Sequence, residues 1–177
     1  LEEALIQANI AYRIYVVLRF FERAEIKDSL AYLRLMSNRH DDPSFERVIN
    51  TPSRGIGNTT LDIIRQIAKE HSLSLWLACQ KVIDENILPS RAANAVAAFL
   101  SLIDQIESAT IGMELGDLTK YLLQHTGLFA HYLKEKGEKG QMRVENLEEL
   151  VTAARLFRPD TIDVPIMQVF LSHASLE

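Results

Sequence analysis

The sequence predicts an all-α fold, an irregular multi-helix bundle preceded by one short strand. Only 7 glycines and 5 prolines occur in 177 residues, and aromatic residues make up 7%, a composition that favours long helices over a many-turned β fold. Hydrophobic residues make up 47%, enough for one compact domain with a buried core. Apolar residues recur at helical spacing through most of the chain, which supports the same prediction.

The N-terminal segment carries the one predicted strand. Residues 1–9 have the apolar spacing of the end of a helix, whereas Tyr12–Leu18 is rich in β-branched and aromatic residues, which favour a strand. A lone strand is not stable without a sheet to join. We therefore expect its partners outside this chain or in a second copy. The chain begins with Leu1, inside the predicted helix, and we expect it to be a piece of a larger protein.

Eight further helices are predicted from apolar spacing and from residues typical of helix boundaries. The run Asp41–Pro43 breaks the chain and caps a short helix, Ser74 caps another, and Gly127 is expected to end a helix in the left-handed conformation. These helices cover approximately residues 20–36, 44–50, 61–71, 75–82, 91–107, 118–123, 143–157 and 165–174.

The turn between the second and third of these helices, residues 50–61, combines features of a phosphate-binding site. Gly55 and Gly57 permit positive φ angles and have no side chain to hold a partner away. Residues 58–60 can cap the helix that begins near Leu61, whose first-turn N–H groups then face outward beside Arg54. The alternative is an ordinary helix–turn–helix linker that binds nothing, because Gly-x-Gly turns are common.

The motifs of several enzyme classes are absent from the sequence. The chain has no Gly-x-x-x-x-Gly-Lys-Ser/Thr loop, which excludes nucleotide hydrolysis of that type within it. Its 5 histidines lack metal-ligand spacing, and Cys79 is expected to be a small buried hydrophobe. The acidic residues Glu145, Glu148 and Glu149 are expected to form a solvated helix face. An enzyme within this chain is therefore not expected.

Charge and hydropathy narrow the classes of partner. The net charge of -5 argues against extensive coating of nucleic acid but allows a local basic face. We expect no membrane-spanning segment, because no apolar run approaches the roughly 20 residues needed to cross a bilayer, and we expect no signal peptide. A single cysteine excludes a disulfide framework and indicates a reducing compartment.

Cationic side chains suited to phosphate occur at three places, and they are Lys27, Arg54 and the run of Lys136, Lys139 and Arg143. Phosphate contacts require only positive donors and backbone N–H groups, so this set suits sequence-independent binding of a DNA duplex. For the Lys136 run, a solvated loop is the alternative, because Glu135 and Glu138 dilute its charge.

Several segments, taken in order, resemble one protein family. They are Tyr12-Arg13-Ile14-Tyr15, Arg19-Phe20-Phe21-Glu22-Arg23 with Glu25-Ile26-Lys27-Asp28, Asn50-Thr51-Pro52 with Arg54-Gly55-Ile56-Gly57 and Thr60-Leu61, Glu135-Lys136-Gly137-Glu138-Lys139-Gly140-Gln141, Arg143 with Glu145-Asn146-Leu147-Glu148-Glu149-Leu150, and Phe170-Leu171-Ser172-His173-Ala174. The chain resembles UvrD-type superfamily-one DNA helicases along essentially its whole length. Linked motifs in order are far more specific than any one of them.

The resemblance implies a larger parent. Residues 1–18 would be a remnant of its second RecA-like domain, 19–170 the helical 2B subdomain with a helix-hairpin-helix-like turn, and 171–177 the exit toward the motor domain. The parent would hydrolyse ATP with magnesium and translocate 3′ to 5′ along single-stranded DNA in nucleotide excision and mismatch repair. The 2B subdomain would carry no ATP site and would regulate unwinding by rotating between open and closed states.

The resemblance also implies which residues meet DNA. The expected duplex contacts are Lys27, Arg54, Gly55, Ile56, Gly57 and Thr60, with Lys136, Lys139 and Arg143 as additional candidates and the Ile56 side chain as packing anchor. The partner would be double-stranded DNA at a junction with single-stranded DNA, in the bacterial cytoplasm at the nucleoid and with no membrane. One departure is Val16-Val17, where the family tends to have Gly-Gly. Valine does not readily adopt the backbone angles that glycine allows, so the sequence does not establish whether these residues act as a hinge.

A protein-docking function without a direct DNA role is the alternative. An acidic helical face, Glu145–Glu149, would then recruit repair or transcription partners, for which the resemblance implies MutL, UvrB and RNA polymerase. The two functions can coexist in one module.

Overall fold

Helices form the fold throughout the part of the chain that the structure describes. The structure, a computed structural model, describes residues 1–157 and 170–172, without the side chain of Ile14. The helices are α1 (Glu2–Phe21), α2 (Ala24–Ser37), α3 (Asp42–Val48), α4 (Asn58–His71), α5 (Leu75–Asp84), α6 (Ser90–Ala109), α7 (Leu115–His125), α8 (Leu128–Leu133) and α9 (Glu138–Leu156). Residues 170–172 are helical as well. The predicted all-α multi-helix fold is confirmed.

The predicted N-terminal strand is wrong, because residues 12–18 lie within α1. A strand needs N–H and C=O partners on a neighbouring strand, and the described ranges offer none. A helix satisfies these groups within the segment itself. Tyr12 is 66% exposed and Val17 is 51% exposed, so the β-branched and aromatic side chains of this segment have no sheet against which to pack.

Helix α1 also contradicts the expectation that no apolar run approaches membrane-spanning length. Its 20 residues are long and apolar enough to cross a bilayer, by length and composition only, and 0% of its apolar window is buried. Arg13 and Arg19 lie in this helix, and an arginine at the bilayer centre costs about 2.5–3.5 kcal/mol on insertion scales. A core helix or a signal sequence passes the same test, so α1 carries no membrane assignment.

Several predicted helix boundaries are confirmed by the groups that form them. The Asp41 carboxylate accepts from the Ser44 N–H at 3.1 Å at the start of α3. The Ser74 hydroxyl accepts from the Leu77 N–H at 3.3 Å at the start of α5. Gly127, after α7, has a φ of 85°, the left-handed conformation that glycine adopts without strain.

Two segments are more helical than predicted. Residues Leu128–Leu133 form the separate helix α8, and α9 begins at Glu138 instead of near Arg143. The lysine, glutamate and glutamine residues of this polar stretch are good helix formers, which explains the earlier start. Of the predicted last helix, 165–174, only residues 170–172 lie within the described residues, and the predicted loop 158–163 lies outside them.

Helix α2 lies at the centre of the core and packs against α3, α6, α7 and α9. Ile26, Leu33 and Leu35 of α2 are each 0% exposed, as expected for a helix covered on several sides. Phe45 of α3 packs edge-to-face on Phe99 of α6, with 5.6 Å between the ring centroids. The turn that follows α3 is thereby held against the most buried part of the fold.

The only cysteine of the chain, Cys79, lies in α5 and is fully buried, as predicted. Burial raises the pKa of its thiol from 9.0 to about 12. The thiol is therefore neutral at physiological pH, and the side chain acts as a small hydrophobe.

Candidate functional site

Residues 50–57 form the turn that joins α3 to α4. Gly55 has a φ of 76°, a conformation that favours glycine. Gly57 has a φ of -89° and a ψ of 178° and is the N-cap of α4, so it does not use the positive φ that glycine permits. A Cβ built on either glycine would meet nothing within 4 Å. The space in front of both is therefore open to a partner.

The first turn of α4 leaves backbone N–H groups free. The first backbone hydrogen bond runs from the Leu61 N–H to the Gly57 carbonyl at 3.1 Å, and no side chain caps the helix. The prediction that a residue of 58–60 is the cap is wrong, because α4 already begins at Asn58. Within the described residues, the N–H groups of 58–60 have no acceptor. Such groups attract an anion.

Two residues fix the turn from within. Ile56 is 1% exposed and packs in the core, as expected of an anchor, so only its backbone can reach a ligand. The Asn50 Oδ1 accepts from the N–H of Arg54 at 2.7 Å and of Ile56 at 3.4 Å. Sequence reasoning missed the role of Asn50, although asparagine commonly bonds the backbone of the turn that it begins.

The Arg54 side chain is directed against the protein. Its guanidinium donates to the carbonyls of Val48, Pro52 and Thr126 at 3.0, 3.1 and 3.1 Å. It also lies over the ring of Phe99, 5.3 Å from the centroid. From the sequence, the Arg54 guanidinium was predicted to be available for contact with phosphate. In the structure, its N–H groups are instead bonded to acceptors of the protein. A direct contact between Arg54 and phosphate stays a prediction.

Tyr32 of α2 is a partner of Arg54 that sequence reasoning missed. Its side chain is 0% exposed, and its hydroxyl accepts a 2.5 Å hydrogen bond from Arg54 Nη2 and donates to the Thr51 carbonyl. Burial raises the pKa of Tyr32 to about 12, although Arg54 acts in the opposite direction. The neutral hydroxyl therefore persists at physiological pH. No local sequence signal could have linked two residues on separate elements.

Lys27 lies on the exposed side of α2, in a groove between α2 and α3. The groove has a volume of about 340 Å³ and is lined by Lys27, Arg34 and Arg47 together with Ser44 and apolar residues. Arg47 Nε donates to Asp28 Oδ1 at 2.8 Å, so the charge of Arg47 is paired. No hydrogen bond within residues 1–157 and 170–172 joins Lys27 to the turn.

The second group of predicted cations lies where α8 leads into α9. Lys136 and Lys139 are exposed. Arg143 Nη1 pairs with Glu135 Oε1 at 3.0 Å, and its guanidinium lies over the ring of Tyr132, 5.4 Å from the centroid. The two lysines are therefore more accessible to a ligand than Arg143 is.

The accessible groups of the site are donors. They are backbone N–H groups, the partly exposed Thr60 and the ammonium groups of exposed lysines. In the part of the chain that the structure describes, no group of three or more His, Cys, Asp or Glu side chains could hold a metal ion. Donors of this kind suit an anion.

The whole chain is similar to one family of proteins. Residues 1–177 match the family described as UvrD-like helicase C-terminal domain. DNA helicase II of Escherichia coli (strain K12) is 54% identical over 179 residues, which cover 100% of this chain and 25% of that protein. ATP-dependent DNA helicase PcrA of Bacillus subtilis (strain 168) is 35% identical over 176 residues, 99% of this chain and 24% of that protein. The chain thus spans about a quarter of the length of these relatives.

Proposed function

We propose, because this chain belongs to the UvrD-like helicase C-terminal domain family, that it is the duplex-DNA-binding, regulatory subdomain of an ATP-dependent DNA helicase. A DNA-related role follows from the family, and the grip on duplex DNA is the proposal. The observation that carries it is the turn 50–57. This turn presents the free N–H groups of α4 to solvent on a backbone that the core holds in place.

The proposed contact is with phosphate oxygens of the DNA backbone. The N–H groups at a helix N-terminus attract anions, and the helix dipole adds to that attraction. Gly55 and Gly57 let the DNA backbone come close, since no side chain stands in front of them. The Thr60 hydroxyl would donate to a phosphate oxygen beside these groups. Contacts of this kind position a duplex without reading its bases.

Exposed lysines would add charge to the contact. Lys27, Lys136 and Lys139 are each exposed. Lys27 lies on α2, Lys136 lies just before α9, and Lys139 lies in the first turn of α9. Each phosphate that a cation neutralises releases counterions. The logarithm of the affinity therefore falls linearly with the logarithm of the salt concentration, with a slope of about -0.9 per phosphate. Because few phosphates are neutralised, we expect weak binding by this chain that fades as salt rises.

The remaining assignments concern the parent protein. Residues 1–18 would belong to its second RecA-like domain, 19–170 to the 2B subdomain, and 171–177 would lead back to the motor domain. ATP and magnesium would bind in the motor domain, outside this chain. The parent would work in the cytoplasm, at the nucleoid, on junctions of single- and double-stranded DNA in excision and mismatch repair. Rotation of the 2B subdomain would regulate unwinding.

Substitution Gly57→Asp tests the grip, because it places a carboxylate where the phosphate would bind. We expect duplex affinity, measured by fluorescence anisotropy, to fall at least about tenfold, the size of one lost charge-assisted hydrogen bond. Ser90→Asp is the matched control, since it adds the same charge at the exposed start of α6. Equal affinities of Gly57→Asp, Ser90→Asp and the unchanged chain would contradict the proposed function.

A second candidate function is docking of a partner protein along α9. Two adjoining grooves of about 370 and 500 Å³ follow this helix and share Leu133, Val144 and Glu148. Leu133 is 67% exposed, and the rim carries Glu145 and Glu148 near the first groove. The first groove places Leu133 and Val144 beside the carboxylates of Glu135, Glu145 and Glu148, whereas the second groove also contains Lys120 and Arg155. The first groove therefore fits an amphipathic helix whose basic side chains face these glutamates.

Charge reversal separates docking from DNA binding. Glu145→Lys with Glu148→Lys should abolish capture of purified MutL, UvrB or RNA polymerase, the partners that the resemblance implies, and should leave the duplex affinity at least as high. Glu149→Lys is the control, because Glu149 is exposed but lines neither groove. The docking function would be contradicted if the doubly substituted chain still captured a partner, or if the unchanged chain captured none.

A further inference from the structure

We infer that Tyr32 is a positioning residue for the duplex contact and acts through Arg54, whose charge holds the turn 50–57 instead of touching DNA. The inference rests on the proposed function and goes beyond it, because Tyr32 lies inside the core. It changes the expected role of Arg54 from phosphate ligand to support of the backbone that meets phosphate.

The contacts of Arg54 join separate parts of the chain. A guanidinium has five N–H donors in a rigid fork. In this structure Arg54 donates to the Val48 and Ile49 carbonyls at 3.0 and 3.3 Å. These carbonyls lie at the end of α3, where carbonyl groups have no partner within the helix. Arg54 also donates to the Pro52 carbonyl within the turn and to the Thr126 carbonyl between α7 and α8. One side chain therefore ties the turn to two other segments.

The Tyr32 hydroxyl completes this arrangement. It accepts from Arg54 Nη2 at 2.5 Å and donates to the Thr51 carbonyl, and the ring of Tyr32 lies 5.7 Å from the guanidinium carbon of Arg54. Because Tyr32 is 0% exposed, none of its atoms can reach a ligand. An effect of Tyr32 on duplex binding must therefore pass through the groups that its hydroxyl holds.

The consequence is a pre-organised set of N–H groups. Asn50 Oδ1 accepts from the main-chain N–H groups of Arg54 and Ile56, and Arg54 and Tyr32 donate to the Pro52 and Thr51 carbonyls of the same turn. The backbone that leads into α4 is thus fixed before DNA arrives. Binding to a fixed backbone avoids the entropy cost of ordering it. Loss of the Tyr32 hydroxyl frees this backbone and weakens the grip.

Salt dependence distinguishes positioning from direct contact. For Tyr32→Phe and for Arg54→Lys, we expect duplex affinity to fall about tenfold at every salt concentration, with the slope of log affinity against log salt unchanged. A direct Arg54–phosphate contact predicts instead that Arg54→Lys, which keeps the charge, binds nearly as the unchanged chain does. Lys139→Gln provides the comparison, because loss of a proposed direct contact should reduce the slope by about 0.9.

A double-mutant cycle tests whether Tyr32 acts through Arg54. The loss in duplex affinity caused by Tyr32→Phe should be smaller when Arg54 is already lysine, because only the hydrogen bond to the Thr51 carbonyl then remains to be lost, whereas independent effects of the two substitutions would add. Thermal denaturation of each variant identifies a temperature at which all variants are folded. If Tyr32→Phe does not fold, the salt dependence of Arg54→Lys alone tests the positioning role. Tyr121→Phe, a partly exposed tyrosine on α7, serves as the control.

The outcomes separate this inference from the proposed function. If Gly57→Asp leaves duplex affinity unchanged, the proposed function fails. If Gly57→Asp weakens binding while Tyr32→Phe and Arg54→Lys bind as the unchanged chain does, the positioning role alone is overturned. A reduced salt slope for Arg54→Gln would also overturn it, because that result makes Arg54 a direct phosphate contact.

Discussion

The Tyr132 hydroxyl donates a 2.8 Å hydrogen bond to Asp28 Oδ2, which joins α8 to α2. The other carboxylate oxygen of Asp28 accepts from Arg47 Nε at 2.8 Å, so one side chain connects three helices. Asp28 is 6% exposed and Tyr132 is 3% exposed. Burial, together with the hydrogen bond to Asp28, raises the pKa of Tyr132 above its ordinary value. The hydroxyl therefore remains a donor at physiological pH.

Substitution Tyr132→Phe should lower the stability of the fold. It leaves Asp28 Oδ2 without its donor, and a buried acceptor left unpaired costs about 1–3 kcal/mol. Urea denaturation measures this loss as a decrease in the free energy of unfolding. Tyr12→Phe is the control, because Tyr12 is 66% exposed and exposed changes stay within about 0.5 kcal/mol. Equal effects of the two substitutions would contradict a structural role for the Tyr132–Asp28 bond.

Substitution Gly116→Ala should destabilise the packing of α7 on α9. A Cβ at Gly116 would lie 1.9 Å from Arg155 Cγ and 3.1 Å from Arg155 Cα. Because the Cα belongs to the backbone, rotation of the Arg155 side chain relieves only part of the clash. Overpacking costs about 1–3 kcal/mol, more than the roughly 1 kcal/mol that alanine gains over glycine in a helix. A raised thermal midpoint would contradict this close packing.

The sequence was sufficient for the helices whose signals are local. Asp41, Ser74 and Gly127 mark helix boundaries through their own hydrogen bonds or φ angles, and these were predictable. The conformation of residues 12–18 does not depend on local sequence alone. The β-branched residues of this segment favour a strand only where a neighbouring strand supplies hydrogen bonds, and without one the described chain forms α1 instead.

The sequence was sufficient to predict the turn of the candidate site but not the contacts that hold it. The Gly-x-Gly pattern located the turn, and the burial of Ile56 agrees with its expected role as an anchor. The direction of the Arg54 side chain could not be predicted, because its acceptors come from remote parts of the chain. Tyr32 precedes Arg54 by 22 residues and Thr126 follows it by 72, and only the packed fold brings the three together.

Alanine substitutions should distinguish the two glycines of the turn. Gly55 has a φ of 76°, so Gly55→Ala forces a left-handed conformation that costs about 1–2 kcal/mol. Gly57 has a φ of -89° and no neighbour within 4 Å of a built Cβ, so Gly57→Ala meets no strain and should cost only about 0.5 kcal/mol, for an alanine in place of a glycine at the N-cap. Thermal denaturation of both variants measures the difference, and equal midpoints would contradict it.

Stability should fall as pH rises into the alkaline range. The pKa of Cys79 rises from 9.0 to about 12 on folding, and that of Tyr32 from 10.0 to about 12. The unfolded chain therefore releases these protons first, so this contribution is complete below about pH 9 and is lost towards pH 12, at about 1.4 kcal/mol per unit for each group. Urea denaturation at several pH values measures the loss. Cys79→Ala should flatten the curve between about pH 9 and 10, and an unchanged curve would contradict the assignment.

Removal of residues 1–17 should leave the rest of the fold intact. Leu5 is 67% exposed and Ile10 is 51% exposed, so this part of α1 adds little burial, whereas Phe20 and Phe21 pack against the core. We expect a shift in the thermal midpoint of no more than about 2 °C, since the described side chains of these residues are exposed and their removal takes away little packing. Removal of residues 1–21 is the comparison and should lower the midpoint further, because it takes away both phenylalanines. A large loss from the shorter deletion would contradict the proposed domain boundary at residue 18.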